Sequence, residues 1–332
     1  MAIHDLQIKP AITKPSRLDL ILAEEIPAVL KKIDPKALSS KSKIRRLILA
    51  GAVSLNNRQE RRPALLVFPG TKINVTLNIE KFLFEKTPDD VSFELTQENI
   101  LFEDESILLV NKPARFPTEA TIVVTRDNLH SAVKRYLNSK GTFRNQPYSG
   151  LLHRLDRDTS GVILFSKTRT VNASIHDSFL RKIVQKEYLA ITTLPTNQKH
   201  PESNFSVKDH IARISPKGAP GKWGEVSNGG DEAHTDFALV DAGKTLLLIR
   251  AFPRTGRTHQ IRVHLSGIGL PIIGDPLYGG KTDLSGKPVL RAMLHAASIT
   301  IPHPVTGKPL TVSAPLPKDF TALASSAGLS IS

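Results

Sequence analysis

The segment at 153–161, His-Arg-Leu-Asp-Arg-Asp-Thr-Ser-Gly, places a carboxylate where it could do chemistry. It directly precedes the apolar run at 162–165, so we predict a polar turn at the end of a buried strand. Asp-x-Thr-Ser-Gly can hydrogen-bond its own backbone and form a rigid loop. Arg154 and Arg157 flank Asp156 and favour its ionised form. Such a carboxylate could attack an electron-poor carbon, or it could be a turn residue paired with these arginines.

A second segment, Arg-Thr-Gly-Arg-Thr-His-Gln-Ile-Arg-Val-His-Leu at 254–265, is predicted to start a helix. Arg262 comes one position after Ile261 and therefore points away from the centre of the apolar stripe, so it could cover a carboxylate brought in from another element. The stripe consists of Ile261, Leu265 and Ile268. His259 and His264 are five residues apart and fall on different helix faces, and no cysteine is available. We therefore predict no metal site here.

The composition excludes several classes of protein. The chain has 332 residues, a formal net charge of +14 and no cysteine, so disulfides, thiolate metal sites and cysteine nucleophiles are ruled out. Its length predicts two domains. No apolar run approaches the roughly 18 residues that a membrane span needs. The first residues show no signal-peptide pattern, and we expect a cytoplasmic protein that does not associate with membranes.

The charge is distributed unevenly along the chain. Residues 1–80 contain 14 Lys and Arg against 7 Asp and Glu, whereas residues 81–106 contain 2 against 8. We therefore predict a small basic domain at 1–80, an acidic linker at 81–97 and a larger domain at 98–332. Surplus lysines could merely keep the protein soluble, but clustered cations also fit a nucleic-acid partner, because they release counterions from its phosphates.

The basic domain has an apolar pattern that predicts two helices followed by short strands. The first helix opens at residues 16–19, and the second is capped by Ser42 and ended by Gly51. A strand at 53–55, a turn at Asn56-Asn57 and a strand at 72–77 follow.

Residues 16–77 resemble an S4-type RNA-binding domain. The best match is 42–56, and extra residues at 26–39 depart from the compact pattern. The basic residues of the second helix fall largely outside its apolar stripe, so they could lie along a phosphate backbone. The residues expected to bind RNA are Lys43, Arg45 and Arg46.

The larger domain alternates short apolar runs with amphipathic stretches. Strands are predicted at 107–110, 162–165, 188–191 and 246–249, and helices after Asn128 and at 171–179. Residues 196–232 are polar and rich in Gly and Pro, so we predict a loop with at most short strands there. Strands outnumber clear βαβ units, which favours a mixed α+β fold over a doubly wound parallel sheet.

From about residue 100 to 317, the chain resembles the RluA family of RNA pseudouridine synthases. An S4-like module before such a body is a common arrangement in that family. Five motifs occur in order, and one departure is Arg115-Phe116, where a glycine is more usual. The motifs are Val-Asn-Lys-Pro at 110–113, the loop at 153–161, Lys-Glu-Tyr-Leu-Ala at 186–190, the segment at 255–264 and Ile-Gly-Asp-Pro-Leu-Tyr at 273–278.

The resemblance implies a mixed, largely antiparallel sheet and the isomerisation of uridine in RNA to pseudouridine, without metal or organic cofactor. By motif position, Asp156 is the catalytic aspartate and Arg262 its basic partner. Tyr188 is the active-site tyrosine, although a core aromatic at this strand position is equally compatible. Arg154 is expected to help displace the target nucleotide from its stack, since a guanidinium can occupy the vacated space.

Several alternatives stay open at this point. Ribosomal RNA is favoured as the substrate and tRNA is possible, with a monomer as the default. Asp158 is a rival to Asp156 as the catalytic carboxylate, and we interpret Asp158 as a turn residue. The route by which Asp156 acts is not defined. The other functional candidates are a non-catalytic RNA-binding or ribosome-assembly factor and a hydrolase that releases free uracil.

Overall fold

The computed structural model describes residues 3–33, 39–78, 90–120, 126–141, 147–194, 200–216 and 221–331. The chain forms two compact units, one of residues 1–88 with 216–220 and one of residues 89–215 with 221–332. Residues 79–89, which contain much of the predicted acidic linker at 81–97, lie outside the described ranges. The predicted boundaries at 80 and 98 therefore stay predictions.

The N-terminal unit packs two helices against short strands. Its helices are α1 (Leu18–Ile33) and α2 (Lys41–Leu49). Its strands are β1 (Ile3–Ile8), β2 (Ser16–Arg17), β3 (Val53–Leu55), β4 (Arg58–Glu60), β5 (Leu66–Val67) and β6 (Ile73–Asn78). A four-stranded antiparallel sheet has the order β1-β6-β3-β4, and β2 pairs with β5. The two predicted helices and the predicted strands after them are confirmed, whereas β1 and β2, which precede α1, were not predicted.

The start of α2 differs from the prediction. Ser40, not Ser42, caps the helix: its backbone is extended and its hydroxyl accepts a hydrogen bond from the Lys43 N–H at 3.2 Å. The cap must lie outside the helical residues, and Lys41 is already helical. Gly51 follows the helix with a φ of +78°, which fits its predicted role as a terminator.

Contrary to the prediction, Lys43 does not lie on the exposed face of α2. Only 8% of this residue is exposed, whereas Arg45 and Arg46 are exposed. Lys43 is one helical turn before Leu47, at the edge of the apolar stripe, which places it towards the interior of the unit. The exposed cations of this helix are therefore Lys41, Arg45 and Arg46.

The larger unit is built on one mixed sheet of eleven strands. The strands are β7 (Ile100–Glu103), β8 (Ile107–Lys112), β9 (Gly150–Leu151), β10 (Ser160–Ser166), β11 (Gln185–Thr193), β12 (Asn204–Arg213), β13 (Trp223–Glu225), β14 (Asp231–Ala242), β15 (Leu246–Pro253), β18 (Leu294–Pro302) and β19 (Pro309–Ser313). The sheet has the order β13-β12-β14-β15-β11-β18-β10-β8-β7, with β19 beside β18 and β9 beside β10. Among the strand pairs described for this sheet, only β10–β18 is parallel. The α+β fold with a largely antiparallel sheet is confirmed.

Helices and a two-stranded ribbon complete the described part of this unit. The helices are α3 (Leu129–Ser139), α4 (Asn172–Leu180), α5 (Gln260–Gly267) and α6 (Lys318–Ser326), and the ribbon is formed by β16 (Asp283–Leu284) and β17 (Lys287–Pro288). Asn128 caps α3 as predicted, accepting a hydrogen bond from the Ser131 N–H at 3.0 Å. None of the helices described in this structure is long and apolar enough to cross a membrane.

The prediction of a loop at 196–232 was wrong, because this region contains the ten-residue strand β12, the strand β13 and the start of β14. The burial of β12 alternates along most of its length, which is typical of a strand with one face in water. Strands near the edge of a sheet carry many polar residues, and these obscured the pattern. The helix predicted to start within 254–265 begins at Gln260.

Candidate active site

Asp156 lies in the turn between β9 and β10, as the sequence predicted. The turn is closed by a hydrogen bond of 3.2 Å from the Thr159 N–H to the Asp156 carbonyl oxygen. Its side chain is 23% exposed, and its Oδ2 accepts a hydrogen bond of 3.0 Å from Nη1 of Arg262. The carboxylate therefore faces a partly open space while one guanidinium holds it.

Arg262, on α5, is shared between two carboxylates. Its Nε and Nη2 donate to the two oxygens of Asp275 at 2.7 and 2.8 Å, which leaves Nη1 for Asp156. The guanidinium also lies 4.8 Å from the ring centre of Tyr278. Burial opposes the charge, but hydrogen bonds and charges from both carboxylates outweigh it and raise the pKa of Arg262. This arginine is therefore a fixed positive charge.

Two buried basic side chains hold the backbone that follows Asp156, and burial lowers the pKa of one of them, Lys112, to about 7. Nζ of Lys112 donates to the carbonyl oxygens of Pro113, Phe116 and Arg157 at 2.8 to 2.9 Å. Nη1 of Arg291 donates to the carbonyl oxygen of Asp158 at 3.3 Å. Because Lys112 and Arg291 are almost completely buried, these contacts fix the position of the loop.

The side chain of Asp158 turns away from Arg262. One of its oxygens accepts a hydrogen bond of 2.8 Å from Nη1 of the neighbouring Arg157. Arg157 in turn donates to Asp90 at 2.6 Å, outside the space that Asp156 faces. This geometry supports the interpretation of Asp158 as a turn residue.

Tyr188, on β11, shares a pocket with Asp156, Arg154 and Arg262. The pocket is open to solvent, and its volume of about 590 Å³ is within the usual range for ligand sites. Burial, with a smaller contribution from the charge of Asp156, raises the pKa of the Tyr188 phenol. Its hydroxyl is therefore protonated at neutral pH.

Arg154 lies at the mouth of this pocket. Its side chain is 56% exposed and forms an ion pair with Glu119. An exposed ion pair contributes little to stability, so Arg154 can leave Glu119 at small cost. The four catalytic-domain residues predicted from the sequence therefore lie together in one pocket.

His259 precedes α5 in a left-handed conformation, with a φ of +58°, and approaches the same oxygen of Asp156 as Arg262 does. The Trp223 N–H donates to the Tyr278 hydroxyl oxygen at 3.0 Å, and this hydroxyl is hydrogen-bonded to Nδ1 of His259 at 2.8 Å. Nε2 of His259 is 3.7 Å from Asp156 Oδ2. Burial lowers the pKa of His259, partly offset by the charge of Asp156.

Several residues of the site were not assigned a role from the sequence. Asp275 and Tyr278 belong to the Gly-Asp-Pro-Leu-Tyr motif, which was noted, but no pattern shows that they contact Arg262. His259 was considered only as a metal ligand. It and His264 have separate partners, because His264 Nε2 contacts Asp209 at 3.1 Å. Within the described ranges, no three His, Asp or Glu residues are grouped to hold a metal ion.

Comparisons with known proteins identify the fold and family. Residues 106–267 match the family model for RNA pseudouridylate synthase. An uncharacterized RNA pseudouridine synthase of Mycoplasma pneumoniae is 32% identical over 282 residues, covering 85% of this chain and 86% of that protein. Ribosomal large subunit pseudouridine synthase C of Rickettsia felis is 32% identical over 317 residues, covering 92% and 95%.

A solved structure shares the fold at lower sequence identity. Human RNA pseudouridylate synthase domain containing 4 is 22% identical, with a TM-score of 0.58, covering 70% of this chain and 94% of that chain. The sequence matches show that the chain belongs to the RNA pseudouridine synthases, in the RluA family. It is an isomerase that converts uridine in RNA to pseudouridine, as the resemblance implied.

Proposed function

We propose that Asp156 is the catalytic carboxylate of this enzyme and that its substrate is a uridine of large-subunit ribosomal RNA, modified in the cytoplasm. The observation that carries the first part is the hydrogen bond of 3.0 Å from Arg262 to Asp156 inside the pocket. The second part is supported by the printed name of the Rickettsia felis relative, which is similar over 92% of this chain.

The reaction requires a charged carboxylate beside the ribose. The N1–C1′ bond breaks and its electron pair leaves with the uracil. The base then turns, C5 bonds to C1′, the C5 proton is lost and N1 gains a proton, so no atom is gained or lost overall. Arg262 holds the Asp156 carboxylate through a charge-assisted hydrogen bond of 3.0 Å, so this carboxylate stays in place as C1′ becomes electron-poor.

Tyr188 and Arg154 are placed to handle the target nucleotide. The Tyr188 ring lines the pocket and offers a flat surface on which uracil can stack. A uridine inside a folded RNA must leave its stack before C1′ can be reached. Arg154, exposed at the pocket mouth, can fill the vacated space, since a guanidinium plane stacks on bases.

The test of Asp156 is the variant Asp156→Asn, with Asp158→Asn as the matched control from the same turn. We expect D156N to fold and bind RNA but to form pseudouridine at least roughly 1,000-fold more slowly, because a single essential carboxylate is neutralised. D158N should stay within a few fold of the natural enzyme. Normal turnover by D156N, measured in single-turnover assays on transcribed RNA, would refute the assignment.

The products distinguish this function from its rivals. Isomerisation leaves the RNA mass unchanged, whereas a hydrolase would release free uracil and leave an abasic site. A non-catalytic RNA-binding factor would produce neither change. Mapping pseudouridines in cellular RNA with and without the protein then identifies the substrate: sites lost from large-subunit ribosomal RNA support the proposal, and sites lost only from tRNA contradict it.

A further inference from the structure

Lys186 is a cation of the pocket that the roles proposed above do not use. It lies on β11 two residues before Tyr188. Both residues line the pocket together with Asp156. Lys186 is half-buried, and its Nζ donates one long hydrogen bond of 3.4 Å to the Thr255 carbonyl oxygen.

The arginines of the pocket differ from Lys186 in having acidic partners. Arg154 pairs with Glu119, Arg254 with Asp236, Arg257 with Asp231, and Arg262 with Asp156 and Asp275. Among the residues whose structure is described, no carboxylate forms an ion pair with Lys186.

An ammonium in this position is unfavourable until an electron-rich group approaches it. Burial lowers the pKa of Lys186 to about 8, and no neighbouring carboxylate in the described part of the chain compensates for the lost water. At pH 7 the group is still charged, so it can bind an oxygen that carries or acquires negative charge.

Resting on the function proposed above, we propose that Lys186 donates a hydrogen bond to a carbonyl oxygen of the target uracil and stabilises the charge on that base after its N1–C1′ bond breaks. Side chains two residues apart on a strand are separated by roughly 6.6 Å. A base stacked on Tyr188 therefore presents its edge within reach of the long lysine side chain. Lys186 acts only as a hydrogen-bond donor in this step, so it keeps its three protons and forms no covalent bond.

The burial of the group favours a base oxygen over a backbone phosphate. A phosphate is strongly hydrated and would remain near the open mouth, where the exposed Arg154 lies. The two contacts also have different kinetic consequences. A phosphate carries the same charge before and during the reaction, so its contact would improve binding alone, whereas uracil becomes negative only as the bond breaks.

The experiment compares Lys186→Met, which removes the charge at similar length, with Lys186→Arg, which keeps it. The matched control is Lys308→Met, an exposed lysine in the loop between β18 and β19. Single-turnover rates at saturating RNA and the Kd for RNA are measured at fixed salt. We expect K186M to lower the saturating rate about 100-fold, as removal of one preorganised donor to a developing anion does, with Kd changed less than about 3-fold.

Each other outcome has a defined meaning. An unchanged saturating rate with a weakened Kd would assign Lys186 to a phosphate, and no change in either would remove it from the site. K186R should recover at least about a tenth of the natural rate, and this variant decides the question if K186M does not fold in circular dichroism. If D156N were fully active while K186M lost its rate, the proposed role of Asp156 would fail independently.

Discussion

One guanidinium in this enzyme serves two carboxylates that have different surroundings. Asp275 is 1% exposed and takes two of the Arg262 hydrogen bonds, while Asp156 is accessible from the pocket and takes one. Asp275 therefore fixes the orientation in which Nη1 reaches Asp156. A single arginine thus gives both acids a hydrogen-bonded positive partner, and only the accessible acid can meet a substrate.

Asp275 should consequently affect the reaction without contacting RNA. We expect Asp275→Ala to lower the saturating rate by up to roughly 100-fold, because the released guanidinium no longer holds Asp156 in place. Asp275→Asn keeps acceptor geometry and should lose less. The measurement is the single-turnover rate together with the Kd for RNA, and a weakened Kd with an unchanged rate would contradict this role.

At this scale, sequence motifs located Asp156, Tyr188, Arg262 and Arg154 in what proved to be one pocket. They could not show that Arg262 is shared with Asp275, because this contact depends on how the loop after α5 returns to the helix. They also did not reveal that Lys43 is covered, since the position lies at the border between the apolar and exposed faces of α2.

Among the secondary-structure elements, β10 has a sterically constrained position near its start, Gly161. Gly161 has a φ of +115° and pairs with Lys112 on one side and Ala296 on the other. A Cβ at this position would lie 2.1 Å from the Ala296 carbonyl oxygen. The parallel pair β10–β18 is therefore made where no side chain fits, five residues after Asp156.

Gly161→Ala should disturb both stability and activity. We expect a loss of more than about 1 kcal/mol in the free energy of unfolding, because the left-handed backbone and the close strand both oppose a Cβ. Urea unfolding at pH 7 measures this. Gly307→Ala is the matched control, since its φ is also positive but nothing in the described structure lies within 4 Å of the added atom.

A pH-dependent contact joins β7 to α3. Glu103 accepts hydrogen bonds from the Tyr136 hydroxyl, Lys140 and Lys167 at 2.8 to 2.9 Å. Burial disfavours the charged carboxylate, but these donors outweigh it and lower the pKa of Glu103 from 4.5 to about 2. The unfolded chain therefore binds this proton first as the pH falls, so the stabilisation is complete above pH 4.5 and is lost towards pH 2.

Glu103→Gln should remove this dependence. At pH 7 we expect the variant to be less stable by about 2 kcal/mol, with the difference from the natural protein shrinking progressively below pH 4.5. Urea unfolding at pH 7, 4 and 3 is the measurement. A difference that stays constant over this range would show that the loss comes from packing and not from the charge.

The elements that the sequence predicted well have a clear apolar pattern. An example is β10, whose seven residues are all buried. The strand β12 is next to the end strand of the sheet, and exposed polar positions alternate along it with more buried ones. It was missed because of this pattern and because a Gly- and Pro-rich segment lies beside it. Its partner β14 supplies the hydrogen bonds that fix it, and these are distant in sequence.

At the scale of the whole molecule, the basic excess of residues 1–80 remains the reason to predict that the N-terminal unit binds RNA. Arg45 and Arg46 are exposed on α2, and Arg45 has a long contact of 3.6 Å with Asp19. The predicted S4-like role of this unit rests on these exposed cations and on the order of its helices and strands.

Replacing Arg45 and Arg46 together with alanine tests this role. We expect weaker RNA binding and a salt dependence of log Kd that is shallower by about 0.7 to 0.9 for each phosphate that is no longer neutralised. The saturating single-turnover rate should stay close to that of the natural enzyme. Lys308→Ala, remote in sequence and exposed, is the control, and equal slopes for both variants would remove α2 from the RNA interface.

Lys112 and Arg291 hold the carbonyl oxygens of residues 157 and 158, and every amino acid supplies such an oxygen. Residues 157 and 158 can therefore accept many substitutions, in evolution or in a mutant library, without releasing Asp156 from its position. Substitutions at Lys112 or Arg291 have no such freedom, although neither side chain lines the pocket. Tolerance to substitution around Asp156 thus depends on the contacts of Lys112 and Arg291 and not on the distance of a residue from the reacting atoms.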